Sequence, residues 1–308
     1  MEEILTALVI GLANGLIIAL IAIGYTLVYG ILELINFAHG DVFMLGTAFT
    51  YFALNFIVNS LGFEATSSAA LIATFAALPV IMLMTAGINA GIERIAYRPL
   101  RNAPRLAPLI SAIGMSFVLL NVGLILLGPS QRAVEPVMPK IPLITFPSGA
   151  EFIGTEHVIV AGVTIPLLLL LRWFVSSTRQ GKSMRATAQD REAAGLMGID
   201  VNRTISLTFL IAGALAGAAG LVVALYYGQT SFNFGFQFGL LSFTAAVLGG
   251  IGNLTGATFG GIMIGLVMAF SDRFLEARWT TVIVFSILIL VLVFRPTGLL
   301  AEKASERA

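Results

Sequence analysis

From Thr204 to Ser271 the chain runs for 68 residues without one Asp, Glu, Lys, Arg or His side chain. A helix needs about 20 apolar residues to cross the roughly 30 Å of hydrocarbon in a bilayer, so this run alone holds about three crossings. Lipid offers no hydrogen-bond partners, and a crossing segment must pair its own backbone groups, which a helix does and an open strand does not. Ile4–Leu32, Ala65–Ile92 and Leu106–Gln131 are free of the same side chains. Composition agrees: 58% of residues are hydrophobic and 11% charged, against roughly 25% charged in soluble domains. The expected fold is an all-α integral membrane protein, a polytopic helical bundle of about 8–10 transmembrane helices forming a single domain over 1–308.

Charge, proline and polar clusters bound nine candidate spans, at 4–31, 41–59, 67–91, 107–128, 157–175, 204–227, 238–251, 256–271 and 279–294. The seventh and eighth are short and broken by glycine, as in a re-entrant pair or discontinuous helices. The first is too long for a signal-peptide core and follows acidic Glu2 and Glu3, so it is expected to stay as a span. Of the 17 basic residues, 13 fall at the end of or beyond spans three, five and nine: Arg94, Arg98, Arg101 and Arg105; Arg172, Arg179, Lys182, Arg185, Arg191 and Arg203; Arg295, Lys303 and Arg307. The positive-inside rule makes that side cytoplasmic, with the N-terminus outside and the C-terminus inside.

On the outer side, the loop at 129–156 holds five of the 11 prolines and is expected to be an ordered or semi-ordered extracytoplasmic segment, either a docking surface or a simple connector. LVYGILELINFAHG, ending at Gly40, parallels LYYGQTSFNFGFQFG, ending at Gly239, which makes a candidate inverted repeat. Chance similarity between hydrophobic stretches is the rival reading. Gly213 and Gly217, then Gly252, Gly256 and Gly260, then Gly261 and Gly265 recur every four residues, a spacing that lets helix backbones approach closely.

The loop at 176–203 is the polar exception in this chain. Gly181, Lys182 and Ser183 resemble the end of a phosphate-binding loop, but the first glycine of that motif would fall on Ser176, and a span precedes it instead of a strand. A polar turn fits better. Ser183 to Gly198 has good helix formers and no proline, with Gly195 and Gly198 to end a short helix whose Ala186, Ala193 and Met197 share a face. Such a helix can lie in a cleft of a soluble partner, or rest solvated at the membrane surface.

Glu192, Ala193, Ala194 and Gly198 match the Glu-Ala-Ala-x-x-x-Gly core of the cytoplasmic loop in ABC importer permeases, without its Ile-x-Leu-Pro continuation. INFAHGDVFMLG (35–46), IERIAYRPLRNAPRLAPLI (92–110), MRATAQDREAAGLMGIDV (184–201), AAVLGGIGNLTGATFGG (245–261) and FRPTGLL (294–300) together resemble the permeases of branched-chain amino acid ABC importers, in order along nearly the whole chain. The resemblance implies a transmembrane permease subunit in a bacterial inner membrane. It also implies a second homologous permease subunit, two cytoplasmic ATPase subunits and an extracytoplasmic substrate-binding protein as partners. ATP would be bound by those ATPases, so no cofactor is expected in this chain. Arg185, Asp190, Arg191, Glu192, Ala193, Ala194, Gly195 and Gly198 would carry the coupling to the ATPase, within a coupling loop at 176–203.

Polar groups in or beside spans are the candidates for a translocation path: Asn14, Asn36, His39, Asp41, Asn121, Asn233, Gln237 and Asn253. Each amide has interhelical hydrogen bonding as its plainer role. Asp41 has capping of span two as its own, since a carboxylate suits a helix N-terminus. The two histidines, His39 and His157, are expected on opposite faces and do not form a metal site; zero cysteines exclude thiolate ligands and disulfides. No nucleophile and base pair stands out, so an enzyme is not expected. Urea or another small amide is the alternative substrate, and an ion-coupled secondary transporter the alternative class.

Overall fold

The computed structural model describes residues 1–300 apart from 102, 105, 149, 150 and 296, so Arg105, Lys303 and Arg307 of the basic clusters lie outside the described residues. Helices dominate: α1 Glu2–Leu32, α2 His39–Asn55, α3 Ser68–Ile92, α4 Leu106–Leu127, α5 Thr155–Ser177, α6 Arg179–Gln189, α7 Arg191–Leu196, α8 Val201–Tyr227, α9 Phe234–Gly249, α10 Leu254–Phe274 and α11 Ala277–Phe294. Short π-helical turns, Phe56–Ser60 and Glu93–Tyr97, prolong α2 and α3. Among the described residues eight helices are long and apolar enough to cross a membrane, and α9 is a shorter apolar helix of 16 residues. Most boundaries fall within three residues of the expected spans. The seventh departs most, starting at Phe234 where 238 is expected.

α1, α2, α8, α9 and α10 form the interior of the bundle, where small residues let backbones touch. α1 and α10 pack along their length: a Cβ on Gly261 would stand 2.5 Å from the Ala19 Cα, and one on Gly265 would overlap the backbone of Gly15. Gly220 of α8 meets Gly46 of α2, and Gly213 and Gly217 meet Ala86 and Thr85 of α3. The four-residue spacing therefore packs helices, with one correction. Gly252 lies in the turn before α10 with φ +99°, a backbone that disfavours any side chain, and is not part of a helical stripe. α3, α4, α5 and α11 sit outside this core and present apolar side chains outward, including Leu83, Ile125, Leu169 and Val293.

Two ends of the bundle can be told apart by their polar contacts. At one, Ser148 donates to Glu2 at 2.7 Å, Arg273 pairs with Glu3 at 2.9 Å, and β1 (Arg132–Ala133) pairs with β4 (Gln229–Thr230). β2 (Pro142–Thr145) and β3 (Glu151–Gly154) form a second antiparallel ribbon in the proline-rich loop, so all-α holds for the spans and not for this connection. At the other end lie the C-terminus of α1, the segment after α3, the α6–α7 loop, and Asn253 with its hydrogen bond to the Leu300 carbonyl at 2.8 Å.

The two similar stretches, 27–40 and 225–239, take the same form of helix, short connection and new helix, and they meet. A Cβ on Gly40 would overlap the Gly235 carbonyl and stand 3.0 Å from Gly239 Cα. His39 at the start of α2 packs against Gly24 and Tyr25, eight and seven residues before the end of α1. At 1.5 Å per residue, α2 begins about 12 Å short of the end of α1.

Candidate functional site

The 178–200 loop folds as two helices where one was expected from Ser183 to Gly198. The break falls at Asp190, whose backbone is extended and whose Oδ1 accepts from the amides of Glu192 and Ala193 at 2.9 and 3.0 Å. An N-cap aspartate starts α7 by filling donors the helix cannot fill itself. Gly198, with φ +83°, ends it: its amide bonds the Gly195 carbonyl, and the Ile199 amide bonds the Ala194 carbonyl, both at 3.0 Å. Gly195 is thus inside α7. Gly181 lies in α6, and a Cβ there would overlap the carbonyls of Phe174 and Val175, which accounts for the glycine without any phosphate.

Two arginines tie this loop to the spans. Arg191 Nε and Nη2 donate to the Ile31 carbonyl at the end of α1, at 3.2 and 2.7 Å. Arg185 donates to the Val175 carbonyl, tying α6 back to α5. Ala194 is buried, whereas Glu192 and Ala193 face outward and Leu196 and Met197 are 85% and 84% exposed. The expected shared face of Ala186, Ala193 and Met197 is split by the break, and the outward surface is Glu192, Ala193, Leu196 and Met197. A cavity of about 450 Å³ separates Asp190 and Arg191 from Leu34 and Arg101.

Beside it is a charge cluster that sequence reasoning missed. Glu93, 1% exposed, receives Arg98 Nε at 3.3 Å, Arg98 Nη2 at 3.4 Å, the Ser206 hydroxyl at 2.8 Å and Arg101 Nη2. Arg101 also donates to Asn202, and Arg98 to Ser206 at 2.8 Å. Burial pulls the Arg101 guanidinium below its usual range while the Glu93 carboxylate opposes that shift. The cluster joins the end of α3 to the start of α8, the helix that follows the loop. The signal was present, because one acid at the end of a span is followed by Arg98 and Arg101 five and eight residues on; its partners on α8 are more than 100 residues away.

The expected path residues divide into groups. Asn14 accepts from Tyr227 at 3.0 Å between α1 and α8. Asn36 accepts from Tyr97 at 3.1 Å and donates to Asn89 at 3.4 Å. Asn253 caps α10, accepting from Gly256 at 3.0 Å. Asn121 bonds the Phe117 carbonyl on an exposed face, and Asn233 and Gln237 are exposed at the start of α9. His39 is fully buried under the Tyr25 ring, centroids 4.8 Å apart.

Asp41 departs from the capping expectation. No side chain caps α2, and Asp41 accepts instead from Ser116 of α4. Its carboxylate lines a cavity of about 250 Å³ between α4 and α9, with Tyr25, Phe117, Leu120, Gly235 and Phe243. Tyr25, Gly40 and Gly239 converge beside it, where the two similar stretches meet.

Residues 7–293 match the family described as branched-chain amino acid transport system, permease component. The chain is similar to the high-affinity branched-chain amino acid transport system permease protein BraD of Pseudomonas aeruginosa, 40% identical over 304 residues that cover 98% of this chain and 97% of that one. It is similar to LivH of Escherichia coli K12, of the same description, at 38% over 298 residues, covering 96% and 95%. A probable branched-chain amino acid transport permease of Methanocaldococcus jannaschii is 25% identical over 296 residues, covering 92% and 88%.

Proposed function

Because this chain belongs to the family of branched-chain amino acid transport system permease components, we propose that it carries branched-chain aliphatic amino acids through the membrane as a permease subunit of an ABC importer. The full-length similarity to permeases of that named substrate class is the observation that carries the substrate; urea or another small amide is the alternative. The subunit is multi-pass and its chemistry is translocation. ATP is hydrolysed in two separate cytoplasmic ATPases, a second homologous permease completes the membrane unit, and an extracytoplasmic binding protein delivers the substrate.

In this reading the end of the bundle that holds Arg101 and Arg191 is cytoplasmic and the proline-rich ribbon is outside, as the basic residues suggest. The 176–203 loop couples to the ATPase through Glu192, Ala193, Leu196 and Met197. Exposed apolar side chains on so short a helix suit a groove in a soluble partner, with Glu192 at its edge. ATPase closure would push this loop, and the Arg191 contact would pass the displacement to α1.

The test is uptake of radiolabelled leucine, isoleucine, valine and urea in a bacterial strain lacking its own branched-chain system, with this chain expressed beside its ATPases, second permease and binding protein. Leucine uptake that vanishes when the ATPases are omitted supports the reading; uptake that persists without them, or that takes urea alone, overturns it. Glu192→Arg is expected to abolish co-purification with the ATPase while leaving membrane insertion intact, and normal co-purification would refute the coupling role.

A further inference from the structure

An ionised carboxylate within the apolar layer needs a protein-lined or watered surrounding, because hydrocarbon does not solvate it. Asp41 is 3% exposed and, among the described residues, accepts a hydrogen bond from Ser116, yet it borders an open cleft whose other walls are mostly apolar. Phe117 of α4 and Phe236 of α9, at the mouth, are 63% and 64% exposed. A carboxylate has about four acceptor positions, so one short contact to Ser116 leaves capacity for a cation. The cleft volume of about 250 Å³ corresponds to about eight water volumes at roughly 30 Å³ each, the scale of one small organic molecule.

The first turn of α9 lies against the same carboxylate. Gly235 and Phe236 of that turn line the cleft, and a Cβ on Gly235 would stand 2.5 Å from the Asp41 Oδ1. An acid set in an aromatic and aliphatic lining matches the α-ammonium and the apolar side chain of an aliphatic amino acid. A neutral amide would bring no counter-charge to the carboxylate and would leave the lining unused.

Resting on the reading that the substrate is an aliphatic amino acid, we propose that the cleft between α4 and α9 holds it during translocation. Asp41 receives the α-ammonium, and Phe117, Leu120 and Phe243 receive the side chain. The site lies where the two similar stretches meet, and Gly40, Gly235 and Gly239 keep that junction close enough for Asp41 to reach the cleft from the first turn of α2.

The chain has no cysteine, which makes thiol labelling clean. In the assembled importer carrying Leu120→Cys, with cysteine-free partners, a cationic methanethiosulfonate should react at least tenfold faster than an anionic one. Leucine delivered by the binding protein should slow the cationic reaction, and Asp41→Asn should bring the two rates together. No reaction with either reagent, or a rate ratio indifferent to Asp41→Asn, would overturn the proposal.

In parallel, Asp41→Asn should assemble normally but lose at least tenfold in leucine uptake, with Asp41→Glu recovering part of it. Undiminished uptake would overturn the site. So would failure of the Asp41→Asn complex to assemble while Asp41→Glu assembles, because Asp41 would then be pairing with a basic side chain of another membrane subunit. Should the unmutated importer move no aliphatic amino acid, the substrate reading fails by itself, and the charge-dependent labelling still reports whether the cleft attracts cations.

Discussion

Arg191 grips the last turn of α1 by its backbone: both its Nε and Nη2 donate to the Ile31 carbonyl oxygen. This places a fixed positive charge at the negative end of a 31-residue helix and fastens the loop helix α7 to the longest element of the core. The guanidinium fork does this in a way an ammonium on a flexible stem does not.

Arg191→Lys is therefore expected to keep the charge and lose the grip. Transport should fall roughly tenfold, a loss of about 1.4 kcal/mol of coupling, while ATPase association stays near normal. The check is leucine uptake per ATP hydrolysed in proteoliposomes, where an unchanged ratio would remove this contact from the drive train.

Glu93→Ala should leave Arg98 and Arg101 without their shared acid. Removing one member of a fully buried pair costs about 3–5 kcal/mol, and because Arg98 is 38% exposed we expect roughly 2–4 kcal/mol here. A fall in the detergent unfolding midpoint measures it, and a midpoint equal to that of the unmutated protein would show that the cluster adds nothing to stability.

Gly265→Leu should prevent α1 and α10 from meeting, because even its Cβ would overlap the Gly15 backbone. Overpacking of this kind costs on the order of 1–3 kcal/mol and more where, as here, the obstacle is main chain. Gly162→Ala is the control, since nothing lies within 4 Å of a Cβ there. Size-exclusion profiles of the two variants in detergent should differ sharply, with monodisperse protein only for the second.

Leu196→Asp with Met197→Asp should weaken ATPase binding at least tenfold without lowering the unfolding midpoint, since both side chains project freely from the loop. Titration of the ATPase on to immobilised permease gives the affinity. Equal affinities would move the docking surface elsewhere.

Tyr227→Phe removes the hydroxyl that bonds Asn14 across α1 and α8. Interhelical bonds in membranes average about 0.6 kcal/mol, so a small drop in stability with leucine uptake preserved is expected. Loss of uptake would instead make Asn14 part of the path.

The spans were legible because the bilayer demands them: charge-free runs of about 20 residues have one stable form in lipid, so the expected spans 4–31 and 107–128 fall within two residues of α1 and α4 at each end. The glycine spacing likewise pointed to close packing. What it left open was which partner each glycine meets, since Gly261 against Ala19 is a contact between chain ends. The break at Asp190 was hidden by good helix formers on both sides, although an aspartate with free amides two and three residues ahead is itself a starting signal. Asp41 was visible as an ionisable group near a span. Its turn toward Ser116 was not, because that partner is 75 residues away on a helix whose rotation depends on every neighbour.

The glycine seams of α1, α2, α8 and α10 leave these helices no clearance to slide or twist against each other, since each seam is backbone resting on backbone. A mechanism built on such parts behaves as a rigid blade. Whatever alternation opens one face of the membrane and then the other is expected at the rim of these seams, where side chains and not backbones meet. Engineering that aims to change the speed of such a machine should therefore alter the rim and leave the seams untouched.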